Sequence, residues 1–311
     1  NENDISMLIF NRTPFYVEAG GQIDDIGAFA IADKIFEIVD VVRIDNKVVH
    51  ILKNEEHFKF QIGMEGLLSI SEIRRWDIMR NHSATHFLHK ALREIIGTHV
   101  QQAGSYVGPD RLRFDFTHFS KLSLDELTQI ESTVNEQIRK NLPLSHHRDT
   151  PFEEAKKMGA LMFFGDKYGD KVNVVQFGDY TMEFCGGTHV RNSSEIGLFK
   201  ILNESSIASG VRRIEAVTGA GVEKYIQSQA EQLKLSEHKI EELHDVKKKL
   251  EKEISELKIK EKLEQLDHIL LLSSEEKNIT IHKGKVHADN MDELKSLGDE
   301  MRNRIKSGVG V

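Results

Sequence analysis

The amino-acid sequence predicts a multidomain α+β protein. It divides into a small N-terminal β-barrel over 1–68, an α+β domain over 69–219, a helical coiled-coil arm over 220–266 and a truncated α/β piece over 267–311. Three observations predict this. Short β-rich runs punctuated by glycine turns open the chain. Helical and strand-like periodicities then follow in segregated blocks, the mark of an α+β layer. A long stretch free of glycine and proline next carries apolar residues at heptad spacing.

In the first part, Ile5–Phe10, Ala28–Val42 and Lys47–Leu52 read as β-rich runs, with turns at Gly20-Gly21 and Gly63. Ile44-Asp45-Asn46-Lys47, between two apolar runs, reads as a hairpin turn. In the second, Asp77–Ile96 lacks glycine and proline and carries Ile78, Phe87, Leu88, Ala91, Leu92, Ile95 and Ile96 at helical spacing. Gly97 is its stop signal. Leu112–Phe116 and Lys171–Phe177 read as strands, and Leu124–Lys140 as an amphipathic helix ending before Pro143. In the arm, Ile226, Leu233, Ile240 and Ile254 share one heptad position and Leu243, Leu250 and Leu257 another, interrupted at Lys247 and Glu261. The last part reads as a hairpin of Ile269–Leu272 and Ile279–His282, then a helix near Asp292–Ile305, too short to bury a good core alone.

Composition narrows the function classes. Lys+Arg number 42 against Asp+Glu 50, a net charge of −8, which excludes a uniformly basic nucleic-acid coat but not a local basic patch. No apolar run approaches the roughly 18 residues of a membrane span, and no signal peptide is read, so no membrane partner is expected. One cysteine excludes an internal disulfide framework and points to a reducing, cytoplasmic setting. The start at Asn1 and the end at Gly308-Val309-Gly310-Val311 give the expectation of a piece of a longer chain.

The lone cysteine sits in Cys185-Gly186-Gly187-Thr188-His189, and the long helix carries His82-Ser83-Ala84-Thr85-His86. Residues four apart share a helix face, so His82 and His86 can offer two imidazoles to one ion. Cys185 and His189 add a thiolate and a third imidazole, with Gly186-Gly187 letting the chain bend back. Three nitrogens and one sulfur suit Zn²⁺, one per chain. The alternative is bland: paired histidines are common on helices, and a lone buried cysteine is usually a small hydrophobe. Spacing alone does not bring the two segments together.

Longer blocks surround these residues. They are Thr13-Pro14-Phe15-Tyr16-Val17-Glu18-Ala19-Gly20-Gly21-Gln22, Asn81–His86, Arg111–Phe116, Phe164-Gly165-Asp166-Lys167-Tyr168-Gly169, Cys185–Val190 and Gly210–Gly219. In this order they resemble the alanyl-tRNA synthetase family, in the part that follows its aminoacylation core. The resemblance implies an editing domain, of the kind shared with threonyl-tRNA synthetases, that hydrolyses the ester of tRNA(Ala) wrongly charged with serine or glycine. The parent enzyme attaches alanine to tRNA(Ala) using ATP, through a domain not expected in these residues. Two alternatives stand: a freestanding trans-editing deacylase, and a non-catalytic, zinc-stabilised tRNA-binding module. Self-association is expected through the arm or a C-terminal domain beyond it. A metallopeptidase is disfavoured because HSATH lacks the glutamate of HExxH.

The resemblance also assigns roles. Serine exceeds alanine by one hydroxyl, which an apolar pocket rejects by only about 10², so a polar second site is needed. Thr85 is the candidate for the seryl hydroxyl, against the alternative of a helix threonine bonding back to the i−4 carbonyl. Gln102 is the candidate for orienting water or the terminal ribose. Arg212 and Arg213 are candidates for tRNA phosphates, with Arg74-Arg75, Arg111 and Arg113 behind them. Tyr16, Glu18, Gly20, Gly21 and Gln22 shape a neighbouring wall, or simply form a barrel turn. Four protein ligands close a tetrahedral zinc, so three ligands plus water, with Cys185 or His189 displaced, is the arrangement expected for catalysis; the alternative is a metal that only organises the tRNA 3′ end.

Overall fold

The protein is described from a computed structural model covering residues 4–162, 168–277 and 279–305. The block Phe164-Gly165-Asp166-Lys167 and the terminal Gly308–Val311 lie outside the described residues. The chain forms two compact units, 1–228 and 229–311.

The first unit opens with β1 (Ile5–Ile9), β2 (Gly27–Ile31), β3 (Lys34–Ile44), β4 (Lys47–Lys53) and β5 (Leu67–Ile70), paired antiparallel in the order β1-β4-β3-β2-β5. The expected hairpin turn joins β3 to β4. Asp45 and Asn46 have φ of 48° and 61°, the left-handed pair that matches the twist of the flanking strands. The β-rich run Ala28–Val42 divides into β2 and β3 at Ala32, which is itself left-handed at φ 52°. Alternate residues of these strands point inward, so Phe29, Phe36, Ile38, Val41 and Leu52 form one core with Phe15, flanked by Phe58 and Phe60.

After β5 the chain enters α1 (Glu72–Ile95), which runs without glycine or proline until Gly97, at φ 136°. There follow β6 (Gln102–Val107), β7 (Leu112–Thr117), α2 (Leu124–Arg139), β8 (Leu144–Pro151), α3 (Phe152–Lys157), β9 (Lys171–Phe177), β10 (Thr181–Phe184), β11 (Phe199–Ala208) and β12 (Val211–Thr218). Ser123 and Glu126 form a reciprocal capping box that sets the start of α2. One antiparallel sheet has the order β11-β12-β7-β6, and α1 and α2 cover its apolar face over Phe114, Phe116, Ile214 and Ala216. A smaller sheet, β10-β9-β8, leads directly into the loop carrying Cys185 and His189.

Residues 14–25 lie against the start of α1. Arg75 Nε donates to Asp25 Oδ1 at 2.9 Å, and Asp25 Oδ2 accepts from the Tyr16 amide at 2.6 Å. Asp25 is nearly fully buried, so breaking this pair leaves an unpaired interior charge. The contact fixes how the segment between β1 and β2 meets the helix that bears the histidines.

The second unit begins within α4 (Ala220–Leu271) and continues through β13 (Ser273–Glu276), β14 (Ile279–His282) and α5 (Met291–Arg304). The hairpin expected from Ile269–Leu272 is corrected: Ile269–Leu271 close α4, and the strand that pairs with β14 is Ser273–Glu276. Leu266 and Ile269, three residues apart, are both buried, the signature of a helix face rather than of an alternating strand. The heptad residues Leu233, Ile240, Leu243, Leu250, Ile254 and Leu257 are exposed. No helix among the described residues is long and apolar enough to cross a membrane.

Candidate metal centre

The helical repeat of α1 places His82, His86 and His89 along one buried face, at steps of four and three residues. Opposite them, Cys185 follows β10, and its amide donates to Asn173 O at 3.0 Å. Gly186-Gly187 then turns the chain so that His189 comes back to the cysteine, Nε2 lying 3.2 Å from Sγ. His82 Nε2 is 3.4 Å from the same sulfur. One donor atom from each of His82, His86, Cys185 and His189 lies within 4.8 Å of all the others. The two segments left unconnected by spacing alone therefore meet, and the four side chains form a group that could hold a metal ion.

Gly187 is required by contact. A Cβ there would overlap the His82 ring and fall 2.8 Å from Gln22 Oε1. The amide of Gly187 points at Cys185 Sγ, 3.4 Å away, an orientation that favours the thiolate.

Outside the cluster, a polar group lies close to the Nδ1 of each imidazole. Gln22 Oε1 lies 2.7 Å from His82 Nδ1, and Ser83 Oγ lies 3.2 Å from His189 Nδ1. Glu183 Oε2 lies 2.8 Å from His86 Nδ1, while its other oxygen lies 2.8 Å from His89 Nδ1. Three inward nitrogens and a sulfur, with polar groups behind the rings, match what a tetrahedral N/S metal site requires.

Charge is concentrated here. Burial favours the neutral Cys185 thiol, but His82 and His189 hold it well below the ordinary thiol range. Burial likewise opposes a charged His86, yet Glu183 and Cys185 push it up to about 10. Burial and the neighbouring His82 bring His189 down to about 3. Glu183, raised by burial, is pulled the other way by His86 and His89, to about 2. Glu183 and Cys185 thus favour the charged form of His86, in contrast to His189.

The remaining sequence candidates fall in different places. Thr85 is buried on α1, and its Oγ1 donates to His82 O at 2.7 Å. Gln102 begins β6, and its Nε2 donates to Ser105 Oγ at 3.1 Å; Ser105 in turn donates to Gly20 O, which ties Gln102 to the Gly20-Gly21 turn. Arg212 and Arg213 are neighbours on β12 and point to opposite faces of the sheet. Arg212 is 9% exposed with its Nε on the buried Glu204, while Arg213 holds Asp115 through Nε and Nη2 at 2.7 and 2.9 Å. They form no joint cationic patch. Arg111 and Arg113 both lie against the Tyr106 ring, 5.7 and 5.9 Å from its centroid.

Two residues at the centre escaped sequence reasoning. Ser83 went unassigned although it lies on the histidine helix, and His89, read as a histidine that needs no metal, stands outside the donor group. Glu183 had a usable signal: two residues before Cys185 at a strand end, it is directed to the same side as the cysteine. Gln22 was read only as part of a wall.

Residues 172–215, which include Glu183, Cys185 and His189, match the model described as the threonyl and alanyl tRNA synthetase second additional domain. Residues 1–73 match that of tRNA synthetases class II (A). The alanine-tRNA ligase of Acetivibrio thermocellus is 42% identical over 322 residues, an alignment covering 100% of this chain and 36% of that protein. That of Chlorobaculum tepidum is 40% identical over 332 residues, with 99% and 37% covered. That of Geobacillus kaustophilus is 40% identical over 316 residues, with 98% and 35% covered. The chain thus spans little more than a third of the length of the curated relatives it matches. Aligned along essentially all of its own length, and carrying segments that match both synthetase models, the chain is homologous to part of the alanine-tRNA ligases.

Proposed function

We propose that this chain is the editing part of an alanine-tRNA ligase, hydrolysing the ester of tRNA(Ala) misacylated with serine or glycine at a zinc site made by His82, His86, Cys185 and His189. The observation that carries the reading is the convergence of four N/S donors from α1 and the 185–189 loop. Two of the four lie in the stretch that resembles the second additional domain of threonyl and alanyl tRNA synthetases.

The donor set fits zinc, which tolerates mixed imidazole and thiolate ligation. Held by three of these donors, zinc would supply Lewis acidity at its open position; held by all four, it would pin α1 to the 185–189 loop. The chain's own residues supply selection. The hydroxyl proton of Thr85 is committed to His82 O, so its oxygen is left as an acceptor for the proton of a seryl hydroxyl. Alanine offers no such proton, and the smaller substrate is spared by chemistry rather than by size. The amide nitrogen of Gln102 is committed to Ser105, which leaves its carbonyl oxygen as an acceptor for a water or a ribose hydroxyl.

A deacylation assay on Ser-, Gly- and Ala-tRNA(Ala), with and without chelator, tests the reading. Rapid, chelator-sensitive release of serine and glycine with alanine retained supports it. Binding of tRNA(Ala) with no hydrolysis above background would replace it with a non-catalytic module.

A further inference from the structure

We propose that Gln22, Glu183 and Ser83 are positioning residues that fix which nitrogen each ligand histidine offers, so that His82, His86 and His189 all present Nε2 to one ion. The inference rests on the reading that the four-residue centre holds a metal.

An imidazole ligates through whichever ring nitrogen lacks a proton, and that is set by the hydrogen bond at the other nitrogen. For His82 the assignment follows from an obligate donor. The Thr188 backbone amide, which can only donate, lies 2.8 Å from Gln22 Oε1, while Gln22 Nε2 lies 2.9 Å from Thr188 Oγ1. These two contacts orient the Gln22 amide, so the atom 2.7 Å from His82 Nδ1 is an acceptor. His82 therefore carries its proton at Nδ1 and turns Nε2 toward Cys185, as the 3.4 Å separation records.

For His86 the acceptor is a carboxylate. Glu183 is buried, with one oxygen hydrogen-bonded to His89 Nδ1 and the other at ion-pair distance, 2.8 Å, from His86 Nδ1. His89 is outside the donor cluster and serves to hold the carboxylate in place. For His189 the partner is a hydroxyl that can donate or accept: Ser83 Oγ accepts the Val190 amide at 3.2 Å and meets His189 Nδ1 at 3.2 Å. It is the approach of Nε2 to 3.2 Å from Cys185 Sγ that assigns Nε2 to the ion and the proton to Nδ1.

One consequence concerns the organisation of the chain. Gln22 belongs to the segment between β1 and β2, 60 residues from His82, and is completely buried. The metal centre is thus completed from the N-terminal sheet region, and the helix and loop that carry the ligands do not make it alone.

The test uses the whole 311-residue chain, stripped and then loaded with cobalt(II) or zinc(II) alone. Affinity is read by competition with a chromophoric chelator and geometry by the cobalt absorption bands. Gln22→Leu and Glu183→Leu should each weaken binding about 10–100-fold, the usual effect of losing such an outer partner. Gln22→Glu, which keeps the acceptor, should bind at least as tightly as the unaltered chain. Unaltered affinity in both Gln22→Leu and Glu183→Leu overturns the proposal while leaving the metal reading intact; failure of the unaltered chain to bind either metal overturns both. A measurement without substitution is decisive even where a variant misfolds. Long-range ¹H–¹⁵N spectra of the zinc-loaded chain should show three rings protonated at Nδ1 and coordinated at Nε2, and a ligand ring coordinated through Nδ1 overturns the assignment.

Discussion

Glu183 and His86 face each other 2.8 Å apart, both almost wholly buried, with the carboxylate on the side of the imidazole away from Cys185. This pair joins the strand that leads into the cysteine loop to the helix that carries the histidines. It makes charge, rather than apolar packing alone, a determinant of how the centre holds together.

A pH dependence follows. Burial raises the Glu183 carboxyl, but His86 and His89 pull it down to about 2, from an ordinary value of 4.5. A depressed carboxyl contributes its full stability above its unfolded value and loses it as pH falls toward its folded one. For the chelated chain, the contribution should be present above pH 4.5 and fade between there and about 2, on the order of 3 kcal/mol in all. Thermal unfolding from pH 7 to pH 3 should show a steeper fall in Tm for the unaltered chain than for Glu183→Gln. Parallel curves would remove Glu183 from this role.

Gly187→Ala should weaken metal binding more than tenfold in a chain that still folds, because the added methyl pushes the His82 ring and Gln22 from their places. Chelator competition beside circular dichroism checks this. Wild-type affinity in a folded variant would show that the loop has room the structure does not give it.

Thr85→Val keeps the shape of the side chain and removes the hydroxyl. Deacylation of Ser-tRNA(Ala) should drop at least about tenfold, with Gly-tRNA(Ala) changed much less, since glycine has no hydroxyl to present. Equal losses on both substrates would assign Thr85 to the packing of α1.

Arg212→Ala should act on the fold. It leaves the Glu204 carboxylate, whose side chain is covered, without its partner, readable as a lower urea midpoint. If stability is unchanged while the salt slope of tRNA binding falls by about one, Arg212 is instead a phosphate contact.

Much of the site was legible because its signals are local. The i, i+4 spacing of His82 and His86 and the glycine-flexed Cys185–His189 loop follow from helix geometry and backbone freedom. What stayed hidden depends on long-range register. Gln22 reaches His82 across 60 residues through the Asp25–Arg75 contact, which no period announces. Arg212 and Arg213 entered as phosphate candidates through the family resemblance, and only the sheet shows that these neighbours on β12 face opposite ways, each held by its own carboxylate. Ile269–Leu272 was misassigned because a run of four apolar residues fits a strand or the last turn of a helix equally well. The left-handed break at Ala32 carries neither glycine nor asparagine to mark it.

The most direct test is the rate of serine release from Ser-tRNA(Ala) by the full chain as zinc is withdrawn and restored, with metal content measured in the same samples. The account predicts activity that disappears with the metal, returns with one zinc per chain, and is never regained by a His82→Ala, Cys185→Ala double variant. Undiminished hydrolysis by a metal-free chain, or by that double variant, would contradict it.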